Sequence, residues 1–213
     1  SGPLINIDET PVQVMNEPGR SNTSKSYMWV FKGGPPDRPA LIFQYHPTRS
    51  GQVPNEFLKE YQGYIKTDAY SGYDALGRRP GIYHVGCWAH ARRKFMEVVK
   101  AGSGKGKKGH AETVPESIGR LYTVEKSARK GELTPDQIAQ LRQEKSKPIL
   151  DDLALRLNAL QSQTPPKGLL GKAVNYTLKN WPLLVRYLEN GWITPDNNAA
   201  ENAIRPFVED RKN

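Results

Sequence analysis

Up to Gly86 the apolar residues of this chain gather in short runs rich in β-branched and aromatic side chains, each closed by turn-forming residues. Leu4 to Met15, with Ile5, Ile7, Val12 and Val14, predicts a strand in which Pro11 marks an end, a bulge or an edge. Ser26 to Lys32 and Ala40 to His46 predict two more, closed by Gly33-Gly34-Pro35-Pro36 and by Pro47. Polar connections between the three suggest an antiparallel meander. Pro54 to Tyr61, with Phe57, Leu58 and Tyr61 at helical spacing, reads as a short helix. Tyr64 to Asp68 then predicts a fourth strand, cut off by Ser71-Gly72, and Ile82 to Gly86 a fifth. A helix between strands requires a crossover, so the fourth strand should run parallel to a neighbour. The order β-β-β-α-β-α-β is that of a ribonuclease-H-like α/β fold, a mixed sheet flanked by helices.

From Trp88 onward the period changes and no further strand is expected. Ala89 to Lys100 is basic and helical, Ala101 to Gly109 is a Gly/Lys-rich loop, and a helix follows around Glu116 to Lys130. Thr134-Pro135-Asp136-Gln137 matches a capping box with proline at the first helical position. Pro148 should kink or split that helix, beyond which Ile149, Leu153, Leu157 and Leu160 form one apolar stripe. Leu169 to Leu188 predicts two helices parted near Pro182, and a last helix begins at Asn197 or Asn198. The chain therefore divides into core strands and first helices (1–88), a large all-helical insertion (89–190) and a final core helix (191–213).

Charge then narrows the class. Thirty-one Lys and Arg against 22 Asp and Glu give a formal net charge of +9, which suits a polyanionic partner such as nucleic acid. One cysteine, Cys87, excludes an internal disulfide framework and fits a reducing compartment. No apolar run is long enough to span a bilayer and no signal peptide is visible, so a cytoplasmic protein is expected, with no membrane partner.

Among the acidic residues, Asp68 at the end of a strand is where sheet enzymes hold catalytic groups. Asp8 on the first strand and Glu201 on the last helix are the distant carboxylates a fold could bring to it. Hard divalent cations take oxygen ligands, and two ions about 4 Å apart support phosphodiester chemistry. Each member has a rival: Glu9 for Asp8, Asp74 for Asp68, Asp196 for Glu201. Glu201 also has a plainer role, since Asn198-x-x-Glu201 resembles a capping box and Arg205 lies one turn on.

Three stretches taken together carry a resemblance. Asp8-Glu9-Thr10-Pro11-Val12, Thr67-Asp68-Ala69-Tyr70-Ser71-Gly72-Tyr73-Asp74 and Asn197-Asn198-Ala199-Ala200-Glu201-Asn202-Ala203-Ile204-Arg205-Pro206 resemble the insertion-sequence-66 family of bacterial DDE transposases. Cys87-Trp88-Ala89-His90-Ala91-Arg92-Arg93-Lys94-Phe95 is similar to a further motif of that family. The resemblance implies a ribonuclease-H-like catalytic domain whose acidic triad falls on Asp8, Asp68 and Glu201. It implies Mg²⁺ or Mn²⁺, two ions, nicking at transposon ends and attack of the freed 3′-hydroxyl on target DNA. It also implies a synaptic homo-oligomer and other element-encoded proteins as partners. The family continues with an aromatic-containing segment where this chain reaches Arg211-Lys212-Asn213, and the stretch reads as an isolated catalytic domain.

Cys87 and His90 could supply two zinc ligands and His84 a third, but a closed structural site takes about four and no other cysteine is on offer. A buried Cys87 is expected instead, with His90 near the acidic site or on DNA. Arg92, Arg93 and Lys94 are candidate phosphate contacts, as are Arg205, Arg211 and Lys212. Tyr70 and Tyr73 could stack on a displaced base, although packing against a neighbouring helix is the role expected of them.

Overall fold

In the computed structural model, residues 4–35, 38–102 and 110–209 are described. The backbone clusters into two compact units, one formed by Ser1–Val85 with Asn197–Asn213 and the other by Gly86–Asp196.

The first unit is an α/β structure on a five-stranded mixed sheet. Its strands are β1 (Leu4–Gln13), β2 (Lys25–Gly33), β3 (Ala40–His46), β4 (Gly63–Lys66) and β5 (Ile82–Val85), in the order β3-β2-β1-β4-β5. β1, β2 and β3 form the expected antiparallel meander, and β4 pairs parallel with both β1 and β5. Pro11 neither ends nor bulges β1, which stays in register with β2 out to Gln13. Pairing with β4 covers only Leu4 to Asn6, so at Pro11 the missing N–H costs no bond to β4.

Helix α1 (Gln52–Phe57) links β3 to β4, and a 3-10 turn (Ser71–Tyr73) with α2 (Asp74–Gly77) links β4 to β5. Both crossovers step the same way along the sheet, so the right-handed rule puts both on one face. There Val53, Leu58, Tyr73 and Leu76 bury against Ile7, Trp29, Phe31, Ile65 and Ile82. The opposite face carries Val30, which packs with Ala200 and Ile204 of α9 (Asn198–Ile204). Alternation along β1 and β2 thus sends neighbouring residues to two different cores.

The expected last helix is broken. α9 stops at Ile204 and α10 (Pro206–Glu209) begins at the proline, which cannot extend a preceding helix without steric conflict. The expected fourth strand is also shorter. The ladder ends at Lys66, apart from one further bond from Thr67 N to Val85 O (3.3 Å), and Asp68 lies beyond it.

The second unit is helical among its described residues: α3 (Trp88–Gly102), α4 (His110–Lys130), α5 (Pro135–Leu141), α6 (Lys147–Gln163), α7 (Leu169–Lys179) and α8 (Trp181–Val185). The capping box forms as read, Thr134 Oγ1 accepting from Gln137 N and Gln137 Oε1 accepting from Thr134 N (2.8 Å). Pro148 does not split the helix but follows a π-helical segment, Arg142–Ser146, whose wider turn spares the clash of the proline ring with the turn before it. The leucine stripe is core, with Ile149, Leu153, Leu157 and Leu160 all buried. Arg142, also buried, forks onto both Glu125 oxygens (2.8 and 2.7 Å) and donates to the Tyr187 and Asn190 carbonyls. No described helix is long and apolar enough to cross a membrane.

Candidate functional site

β1 delivers two adjacent carboxylates to opposite faces of the sheet. Glu9 pairs with Trp29, and its side chain is buried in the core beneath α1 and α2. One oxygen accepts from Arg49 Nε (2.6 Å) and from Arg49 Nη2; the other accepts from the Tyr73 hydroxyl. Burial pushes the Glu9 carboxyl upward while Tyr73 and Arg49 oppose the rise, and burial prevails. Tyr73 is itself fully buried, edge-on to Trp29 and Tyr70, and burial beside Glu9 holds its hydroxyl protonated.

Asp8 pairs with Val30, on the face that packs against α9. Its carboxyl is pushed up to about 7, first by burial and then by the charges of Glu9, Glu201 and Asp68. These three charges can bear on Asp8 only if the fold brings them close. Asp8 thus sits in a cluster of acidic charge with Glu9, Glu201 and Asp68 within the sheet unit.

Asp68 reaches that cluster from the carboxyl end of β4, where open parallel sheets hold ligands. Oδ1 accepts from Tyr70 N (3.0 Å), an Asx turn that fixes the side chain at the mouth of the loop. Oδ2 lies 4.0 Å from Arg49 Nη2. Under the same loop the Thr67 hydroxyl shares a hydrogen bond with His84 Nε2 (2.8 Å). A β-carbon at Gly51 would overlap the carbonyl of Gly72, so the Arg49 and Asp68 loops touch backbone to backbone.

Glu201 arrives on the first turn of α9. The helix starts from Asn197, one residue before the Asn198 read as its cap, and Asn197 makes no side-chain cap bond. Asn197 instead points inward, fully buried, and its Nδ2 donates to the carbonyl of Ile7 (2.8 Å). The residue before the Glu201 helix is thereby bonded to the residue before Asp8. Arg205, one turn on, is exposed and donates to Asn202 Oδ1 (2.9 Å).

The rivals have other surroundings. Asp74 is exposed at the start of α2, and Asp196 falls in the helical unit. In that unit Cys87 is buried just before α3 and His90 sits on the first turn of that helix. Arg92 and Arg93 are exposed there, while the Lys94 ammonium lies 4.5 Å above the Tyr176 ring. Arg211 and Lys212 fall outside the described residues. Arg49 and Asn197 were not legible as site residues, because their partners are 40 and 190 positions away.

Comparison with known proteins places this arrangement in a family. The uncharacterized protein y4jD of Sinorhizobium fredii (strain NBRC 101917 / NGR234) is 30% identical over all of this chain, which spans 42% of that protein. The uncharacterized protein y4qI of the same organism is 28% identical, again over all of this chain and 40% of its own length. The chain thus spans about two fifths of the length of these curated relatives. No solved structure matches the chain. The family described as Transposase IS66 family matches residues 1–213, end to end, and the chain belongs to that family.

Proposed function

We propose that this chain is the catalytic domain of a DDE-type transposase with a ribonuclease-H-like core, its triad Asp8, Asp68 and Glu201. The family match over residues 1–213 carries the reading, and the carboxyl of Asp8, pushed up by burial and then by the charges of Glu9, Glu201 and Asp68, supports it. Such a surplus is the condition a divalent cation relieves.

Three carboxylates are a donor set suited to a hard cation, with Asp68 following the end of β4 and Glu201 on the first turn of α9. Mg²⁺ or Mn²⁺, as two ions, would supply charge neutralisation at a phosphodiester and an activated attacking oxygen. The chain's own part is positioning. Asp8 is fixed by the β1 ladder, Asp68 by its Asx turn, and Glu201 through the Asn197 bond to Ile7. Asp8 would have to lose its proton to serve as a ligand, so metal and proton would compete at this carboxyl.

Arg92, Arg93, Lys94, Arg205, Arg211 and Lys212 are assigned to DNA phosphates, a reading supported by the net charge of +9. The partners are transposon ends and target DNA, a second copy of the chain in a synaptic complex, and other element-encoded proteins.

The test is incubation with Mg²⁺ and a plasmid carrying the element ends, scored for nicks and then for joined products. Metal-dependent nicks followed by strand-transfer product support the proposal. Nicks without joining would reduce the chain to a nuclease; DNA binding without nicks would reduce it to a binding module.

A further inference from the structure

Arg49 is absorbed by none of the roles above, and its geometry is unusually constrained for a loop arginine. Nε and Nη2 are both spent on a single Glu9 oxygen, the other oxygen being taken by Tyr73. The guanidinium carbon lies over the Tyr70 ring, 3.8 Å from its centroid, and the Tyr70 hydroxyl donates back to the Arg49 carbonyl (2.8 Å). The position of the group is thus set by three contacts, yet the side chain remains 38% exposed. Nη1 has no protein partner among the described residues, and Nη2 stands 4.0 Å from Asp68 Oδ2.

A counter-ion serving Glu9 alone would gain most from a fork-to-fork pair. Here the second donor edge is left outward, beside the carboxylate proposed to handle the phosphodiester. A planar guanidinium with one edge anchored and the other open is the group best shaped to take a phosphate oxygen. Its charge is firmly held: burial works against it, but Glu9 more than compensates.

We propose that Arg49 is a phosphate-binding group of this site, its open edge holding a non-bridging oxygen of the DNA strand that lies against Asp68. The inference rests on the transposase reading above and adds to it a residue outside the acidic triad. Tyr70 and Glu9 are its positioning residues, and the contact is independent of base sequence.

The experiment measures anisotropy of a fluorescent DNA duplex across a salt series, with Ca²⁺ present, for the native chain, Arg49→Ala, Arg49→Lys and Asp68→Asn. Arg49→Ala is expected to weaken binding roughly tenfold and to reduce the slope of log affinity against log salt by about one, with Arg49→Lys between it and native. Because Arg49→Ala leaves Glu9 buried without its cation, the double variant Arg49→Met with Glu9→Gln removes both charges. It should melt close to native and still lack the salt-slope increment. Native affinity and slope in either Arg49→Ala or a folded double variant would overturn the proposal. Asp68→Asn separates it from the catalytic reading: that variant should keep the Arg49-dependent slope while losing nicking, and normal nicking by it would sink the catalytic reading alone.

Discussion

Asn6 of β1 and Lys66 of β4 are the last level pair of their parallel ladder, and Asp8 and Asp68 each lie two residues beyond it. The register runs Leu4 with Tyr64, Ile5 with Ile65 and Asn6 with Lys66; Asp68 follows the end of β4, and its charge, after burial and the charges of Glu9 and Glu201, helps to raise the Asp8 carboxyl. Repulsion between them is built in, and it has measurable consequences.

The first is a pH dependence. Asp8 is raised from 3.8 to about 7 in the folded chain, so between those values the metal-free folded state binds a proton that the unfolded state has released. Stability must therefore fall as pH rises through that window and level off above it. Thermal melts of the metal-free protein from about pH 4 to pH 8 should show this decline. Asp8→Asn should flatten it and melt higher than native at pH 8. Adding Mn²⁺ to the native chain should raise the melting temperature more at pH 8 than at pH 6, because loading displaces the proton.

The second concerns Asn197. Its amide donates to a carbonyl on β1 from a fully buried position, and truncation would leave the Ile7 acceptor without that donor. Asn197→Ala should destabilise the sheet unit by about 1–3 kcal/mol, read by urea denaturation. Because α9 carries Glu201, nicking should fall by more than the folded fraction does.

A third prediction tests the helical unit. Glu125→Ala would leave the Arg142 guanidinium buried without its carboxylate and should cost about 3–5 kcal/mol. Replacing both partners, Glu125→Leu with Arg142→Met, should recover much of that loss. Denaturant melts of the two variants against native decide it, and equal instability of both would contradict the assigned role of the pair.

What the sequence revealed and what it hid follow from the range of the interactions. Strands and helices depend on local periodicity and turn chemistry, so the meander, the crossover to β4, the Thr134 capping box and the leucine stripe could all be read directly. The parity of β1 could not separate Asp8 from Glu9, since both faces of that strand are buried. Only the strand pairing shows that Glu9 opposes Trp29 in one core while Asp8 opposes Val30 beneath α9. The Asn198-to-Glu201 spacing matched a capping box, but a buried backbone carbonyl 190 residues away captured the neighbouring Asn197. Arg49 gave no local signal, because Glu9, Asp68 and Tyr70 become its neighbours only through the sheet and the contact of the Gly51 and Gly72 loops.

The central claim is that Asp8, Asp68 and Glu201 act as one metal-holding, DNA-cutting site. Anomalous diffraction from crystals soaked in Mn²⁺ tests it most directly. Manganese peaks are expected with Asp68 as a ligand shared with Asp8 and Glu201, and they should be lost in Asp68→Asn crystals. Manganese bound elsewhere, or an Asp68 turned into solvent away from Asp8 and Glu201, would contradict it.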